Sequence, residues 1–301
     1  MPTRLCRAAL ERARHFVAAK GRLIDAVLVQ QALGEGDATD VLAALALYQN
    51  PDGGFGHALE PDLRTPASTA IATSTALQIL GRLRVPDDHP MIERAVGYLL
   101  ATLDRAAGVW PIVGPAVDAA PHAPWWSHGP DLAQAWNGFR FNPTADLLAA
   151  LVRHAPLVPA PLLAELLAKM QAAAEATPAL DGAYDLMAVW RLAATPGLPA
   201  PLAAALGRLL TASLATVAAD DPHIDFLELA DGPHAALAAD RFAAAAEQAI
   251  ATQGPDGEWA PFWNWAEVSA AGWFAAEADW KSLLTRRWIE VLAAHGRIEP
   301  A

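Results

Sequence analysis

The chain has 301 residues, 54% hydrophobic and 18% charged, which excludes disorder and supplies apolar material for a large core. A net charge of −12, with lysines only at Lys20, Lys169 and Lys281, leaves no basic footprint for nucleic acid. The lone Cys6 excludes an internal disulfide framework and a cysteine-based zinc cluster.

In chain order, apolar residues recur at three- and four-residue spacing over Val41–Tyr48, Ala70–Leu83, Ile92–Leu103, Ala145–Val152, Leu162–Met170, Leu186–Leu192, Leu202–Val217, Ala235–Ala251 and Ser282–Ala294, and each run predicts a helix. Breaks rich in Pro and Gly separate them: Asn50–Gly56, Val85–Pro90, Pro111–Pro130, Pro156–Pro161, Thr195–Pro201, Asp220–Pro222 and Gly254–Pro261. Alternating β-branched runs are missing, so the expectation is one all-α domain over residues 1–301, with a long loop at about 111–141. No stretch has the roughly eighteen continuous apolar residues of a membrane span. The opening MPTRLCRAALERARHF lacks the h-region and cleavage site of a secretory signal, so a reducing, cytoplasmic setting is expected. Heavy Ala, Gly and Pro use, with Arg over Lys, fits a GC-rich bacterial genome.

The chain also repeats itself. Gln49-Asn50-Pro51-Asp52-Gly53-Gly54-Phe55 returns as Gln253-Gly254-Pro255-Asp256-Gly257-Glu258-Trp259, with weaker copies at Ala107-Gly108-Val109-Trp110 and Asp181-Gly182-Ala183-Tyr184. Asp bonds its own downstream backbone and Gly accepts positive φ, so each copy predicts a tight reversal between two helices. Asp52 and Asp256 are then turn residues rather than catalytic acids, and the aromatic that ends each copy plugs the gap between helix pairs.

These residues resemble the repeat of the terpenoid cyclase and protein prenyltransferase superfamily: basic, small, two residues, aromatic, Leu, three residues, Gln, a short gap, Gly-x-Trp. Arg94-Ala95-Val96-Gly97-Tyr98-Leu99 followed by Gly108-Val109-Trp110 fits it, with Leu103 at the Gln position, whereas the Gln49 and Gln253 copies lack the upstream basic residue. The resemblance implies an α/α toroid, a double ring of antiparallel helix pairs around a largely apolar cavity. Thr65-Pro66-Ala67-Ser68-Thr69-Ala70 keeps the Thr-Ala of the cyclase acid motif but not its carboxylates. Cys6 does not match the prenyltransferase zinc ligands, the cysteine ligands of the zinc-dependent lanthionine cyclases are lacking, and Asp220-Asp221-Pro222-His223-Ile224-Asp225 is a weak counterpart of a diphosphate-binding Asp-rich motif.

If each turn leads from an outer to an inner helix, the residues that follow it face the cavity mouth. That places His57, Glu60 and Asp62 there after the first turn, Asp185 after the third and Glu267 after the fourth, while Asp146 and the Asp225/Glu228 pair head helices without clear turn copies. Carboxylates at helix starts also serve as caps, but several converging in one cavity raise one another's pKa and create a usable acid. Trp125, Trp126, Trp136, Phe139, Phe141, Phe262, Trp263, Trp265 and Trp273 crowd two loop-rich regions, with Arg140, Tyr184 and Asn264 beside them. Such residues either fill core or line an aromatic pocket that stabilises cations or stacks on sugars. The long loop adds His122, His128, Asp131 and Asn137, and the six-residue spacing of its histidines is no helical metal pair. No metal or cofactor is expected.

Three functions compete. The first is a terpenoid cyclase-like enzyme in which Glu60, Asp62 or Asp146 protonates a hydrophobic isoprenoid and aromatic faces stabilise the cation. The second is a non-catalytic toroid that binds a hydrophobic ligand or a partner protein. The third is an (α/α) barrel acting on carbohydrate, with two carboxylates across a glycosidic bond and Trp platforms.

Overall fold

A computed structural model describes residues 3–135, 139–218, 221, 223–224, 228–230 and 232–300, without the side chains of 133–135 and 228. Its helices are α1 (Arg7–Lys20), α2 (Leu23–Ala32), α3 (Ala38–Ala46), α4 (Ala70–Arg82), α5 (Pro90–Thr102), α6 (Pro130–Ala135), α7 (Phe141–Arg153), α8 (Ala160–Ala176), α9 (Ala183–Ala193), α10 (Ala200–Thr216), α11 (Ala239–Ala251) and α12 (Ala270–Ala294). Among the described residues no strand forms, only isolated bridges. No described helix is long and apolar enough to cross a membrane. The chain is all-α, as its periodicity predicts.

Local chemistry sets the helix starts. Asp37 caps α3 by accepting from the Thr39 and Asp40 N–H groups, Thr69 caps α4 through Ala72, and Ser269 caps α12 through Gly272. Proline occupies the first turn of α5, α8 and α10, where its missing N–H costs nothing. The 111–141 segment contains two 3₁₀ turns, Pro115–Ala119 and Pro124–Trp126, and the short α6. Helix α12 begins at Ala270, twelve residues before the apolar run at Ser282, and α1 and α2 add two helices that the periodicity did not single out.

Burial divides the helices into two classes. Around α4, α7 and α9 it is nearly continuous: Pro143 to Leu151 are all buried in α7, as are Leu186 to Trp190 in α9. These three pack in the row α4–α7–α9. In α8 burial follows the stripe Leu162, Leu166, Met170 and Ala174, one face of a helix with its back to solvent. Helix α8 packs behind α7, α10 behind α9 and α5 behind α4. At the other side α2 packs on α12 and α3, and α1 on α12 and α2.

The repeated turns dock in one recurring way. The Gln49 amide donates to Gly53 O within its own turn and to Met91 O at the start of α5, both at 3.0 Å. Gln253 does the same at the other end of the chain, to Gly257 O and to Ala9 O in α1, again at 3.0 Å. Arg94 donates to the Gln49 side-chain oxygen and Arg12 to that of Gln253. In the second turn Lys169 of α8 donates to Arg105 O and Ala106 O at 3.2 Å. Each of these three turns is therefore gripped by a basic side chain of another helix, and the basic residue that is missing upstream of Gln49 and Gln253 arrives from α5 and from α1.

The buried ends of these turns are Phe55, Trp110 and Trp259. Phe55 N–H donates to Thr73 Oγ1 at 3.0 Å and Trp259 N–H to Thr285 Oγ1 at 3.1 Å, so α4 and the second half of α12 hold equivalent places. Tyr184 departs from the expected plug: it is 56% exposed, and the buried residue there is Leu180, tied to Ser213 of α10 at 2.9 Å. Asp52 and Asp256 are turn residues as expected, Asp52 accepting from Gly54 N–H at 3.0 Å and Asp256 pairing with Lys20 at 2.7 Å. The two ends of the described chain meet where Leu5 N–H donates to Arg297 O at 2.7 Å and Glu299 N–H to Leu5 O at 3.0 Å.

Candidate functional site

Between the first turn and α4 the chain runs through residues 56–69, and this segment carries Glu60 and Asp62. It is pinned to the long loop: Arg64 N–H donates to Pro121 O, and Ala123 N–H to Asp62 O, both at 3.0 Å. Arg64 is ion-paired with Asp279 of α12. Three stretches far apart in sequence therefore meet around the two acids.

Asp62 is buried and accepts the Trp265 indole N–H at 2.7 Å. Burial raises its pKa above the usual carboxylate range, and the indole N–H groups of Trp265, Trp280 and Trp263 oppose that shift. The Trp263 and Trp280 groups face the carboxylate without closing hydrogen bonds of normal geometry, and the Trp126 N–H is also buried without an acceptor. Glu60 is set deep in the protein but keeps some contact with solvent. Burial first, then the charge of Asp62, pushes it up to about 8, against the opposing charges of Arg22 and Arg287 and the Asp62 backbone N–H. At neutral pH Glu60 carries its proton.

A wall of rings lies beside the acids. Tyr184, at the start of α9, meets His223 edge-on at 6.1 Å between centroids, and His223 meets Phe262 at 5.0 Å. Phe262 meets Trp263 at 4.9 Å, and Trp263 meets Trp280 of α12 at 4.8 Å. Trp265 meets Trp273 at 5.7 Å, and Trp126 packs against that pair together with Ala123 and Ala276. The charges of Glu60 and Asp62 both raise the Tyr184 pKa, after burial, which places its ring within their field. The edge of the wall is open to solvent at Tyr184 and Phe262, and Trp125 is also exposed.

Of the residues singled out by sequence, the structure gathers Glu60, Asp62, Trp126, Tyr184, Phe262, Trp263, Trp265 and Trp273. Others have bonds of a different kind. Asp146 is held in a fork by Arg191 at 2.6 and 2.8 Å, which ties α7 to α9. Asp185 accepts the Asn142 N–H at 2.8 Å in the first turn of α7, and its pKa is raised by burial while the Asn142 bond and the Arg140 charge oppose the rise. Phe139 and Phe141 pack edge-on at 5.4 Å against the main core. His57 bonds Asn50 Oδ1 at 2.8 Å, Asn264 Oδ1 accepts the Ala266 N–H at 2.7 Å in a local turn, and His122 is bonded within its loop to Ala120 O and Ser127 Oγ. Arg140 and Glu267 are exposed. Trp136, Asn137, Asp220, Pro222 and Asp225 lie outside the described residues, as does the Glu228 side chain.

Trp280, Arg22, Arg64 and Asp279 join the site without having been expected there. Trp280 had a legible signal: it follows Trp273 by seven residues, two helical turns along one face. Arg22 had none, because it reaches Glu60's segment only through the tertiary fold. A shallow groove of about 650 Å³ between α10 and the 233–237 segment holds Arg208 and His234 but no carboxylate, so it offers no acid pair. Neither protein-family models nor curated protein sequences match this chain.

Proposed function

We propose that the chain is a cytoplasmic, terpenoid cyclase-like enzyme in which Glu60 protonates a hydrophobic isoprenoid-type molecule held against the tryptophan wall. The observation that carries this reading is Glu60 itself, a carboxyl group kept neutral to about pH 8 beside Asp62 and an aromatic surface. The framework is an α/α toroid. It is supported by the two classes of helix, by the gripped turns at Gln49, Gly108 and Gln253, and by α1, which serves the last turn as α5 serves the first.

The chemistry balances as an isomerisation. The π pair of a substrate double bond takes the Glu60 proton, a C–H bond forms, and the neighbouring carbon becomes cationic. Arg22, Arg287 and the Asp62 N–H stabilise the carboxylate left behind. The faces of Trp263, Trp265, Trp280 and Tyr184 offer negative quadrupoles to the cation as a second double bond attacks it. Loss of a proton from the cyclised cation, returned to the Glu60 carboxylate, forms the product double bond and restores the acid. The earlier candidates Asp146, Asp185 and Glu267 take no part in this scheme.

The indole N–H groups of Trp126, Trp263 and Trp280, which lack acceptors, favour a second reading: a ligand with oxygen acceptors, such as a sugar, lying across the same two carboxylates. Incubation with linear polyprenyl alcohols, diphosphates and hydrocarbons, and in parallel with aryl glycosides, separates the two by mass spectrometry. A cyclised, mass-neutral product that falls about a hundredfold or more in Glu60→Gln supports the cyclase. Equal turnover in Glu60→Gln rejects Glu60 as the acid, and ligand retention without turnover points to a binding protein.

A further inference from the structure

Glu60 follows a strained turn. His57 and Ala58 lie at φ 55° and 62°, a left-handed conformation that residues with a Cβ rarely adopt. Such a turn persists only where its surroundings hold it: His57 is bonded to Asn50 Oδ1 and to Thr65 O, and Arg22 holds the carbonyls that follow. The Arg22 Nη1 group donates to Leu59 O at 3.0 Å and to Ala58 O at 3.4 Å. Its Nε and Nη2 fork onto Asp25 at 2.7 and 3.2 Å.

Asp25 is fixed in turn from α12. It accepts Ser282 Oγ at 2.8 Å and Arg286 Nε at 3.0 Å, and Ser282 Oγ also accepts the Arg22 backbone N–H at 3.0 Å. Arg286 is paired with Glu290 at 2.7 Å. The array is almost wholly buried, so its bonds are short of competition from water.

We propose that Arg22 is a positioning residue for Glu60: anchored by Asp25 and through it by α12, its guanidinium holds the 57–59 turn by two carbonyl oxygens and so fixes where the carboxyl group is presented. The proposal rests on Glu60 being the acid. It also makes the site depend on the packing of α12 on α2. A planar fork is needed, because one side chain must reach two carbonyls and a carboxylate together, which a lysine ammonium does not do. The groups facing Glu60 are Asp62 on its own segment, Arg22 ahead of α2, Arg287 on α12 and Tyr184 on α9.

The test compares wild type, Arg22→Lys and Ala58→Gly. The pH dependence of Glu60 esterification by a diazo reagent is read by peptide mass spectrometry, beside amide hydrogen exchange over residues 57–63. Arg22→Lys keeps the charge, so a change in the titration reports position. The loosened turn admits water, and the midpoint falls by about one pH unit while exchange quickens about tenfold. A folded Arg22→Lys protein with an unmoved midpoint overturns the proposal. Ala58→Gly, which removes a Cβ from the left-handed position and keeps the carbonyl that Arg22 holds, frees the backbone of the same turn without touching the guanidinium. There, faster exchange with a lower midpoint supports the link, and faster exchange with an unmoved midpoint breaks it. A wild-type Glu60 that titrates in the ordinary carboxylate range defeats the acid reading itself, whereas a raised midpoint that survives Arg22→Lys defeats only the clamp.

Discussion

Between pH 4.5 and about 8 the folded chain keeps on Glu60 a proton that the unfolded chain gives up. Unfolding in that window releases a proton, so Glu60's contribution to stability is fully present below the unfolded pKa and is lost as pH rises through the folded one. The slope is at most about 1.4 kcal/mol per pH unit, and because the carboxyl still touches solvent the whole effect is set at about 2–4 kcal/mol. Glu60→Gln removes it. The variant is expected to be more stable than wild type by that amount at pH 9 and nearly equal to it at pH 4.5, measured by urea unfolding at both; curves that keep the same separation at the two pH values would show that Glu60 is not held neutral. Asp62, also raised, acts in the same direction, and Asp25, lowered by Arg22 and Arg286 against its burial, acts in the opposite one, so only the difference between variant and wild type isolates Glu60. The position of Glu60 and Asp62 just after a turn was legible in the sequence, because Pro-Asp-Gly-Gly-Phe is a local turn signal and the two carboxylates follow it within seven residues. Which acid is the neutral one was not legible, since that depends on Arg22, Arg287 and three indoles brought in by other elements.

At the scale of the element, the turn repeat has one strict requirement at its fifth position. Gly53 has φ +92°, and an added Cβ would fall 2.2 Å from Arg94 O; Gly257 has φ +96°, and its Cβ would fall 2.4 Å from the Arg12 carbonyl carbon. Left-handed strain and overlap with the backbone of the gripping helix act together. Gly53→Ala and Gly257→Ala are each expected to cost about 2–4 kcal/mol. Gly97, on the exposed face of α5 with nothing close to an added Cβ, is the control, and Gly97→Ala is expected to stabilise by about 0.5–1 kcal/mol. Chemical denaturation of the three variants checks all of this, and equal effects at Gly53 and Gly97 would refute the docking account. The turns were readable because Pro-Asp-Gly and a following aromatic are local signals. Helix α1 was harder to read: with Arg7, Glu11, Arg12, Arg14 and Lys20 it buries only the stripe Ala9, Ala13, Phe16 and Val17, and its role shows only against a turn more than two hundred residues away.

Whole-molecule closure is where the toroid proposal stands or falls. In an open stack of helix pairs each repeat contacts only its neighbours, so trimming an end removes one repeat and one interface. Here α1 lies between distant parts of the chain: Ala9, Ala13, Phe16 and Val17 form one cluster with Trp259, Ile289 and Leu292, and Arg12 and Ala9 O hold the Gln253 turn. Removing it would uncover α12, α2 and that turn together. Deletion of residues 1–21 is therefore expected to abolish the cooperative thermal transition of the whole chain. The same geometry requires the opposite result from a circular permutant that keeps every helix, joins Glu299 to Leu5 through a short glycine linker and opens the chain after the exposed Glu35. That protein should melt in one transition close to wild type, because the joined segments already exchange backbone hydrogen bonds and the new ends fall in a surface loop between α2 and α3. A truncated chain that still melts cooperatively, beside a permutant that does not fold, would describe an open stack, and with it the mouth around Glu60 would lose the wall that α12 supplies.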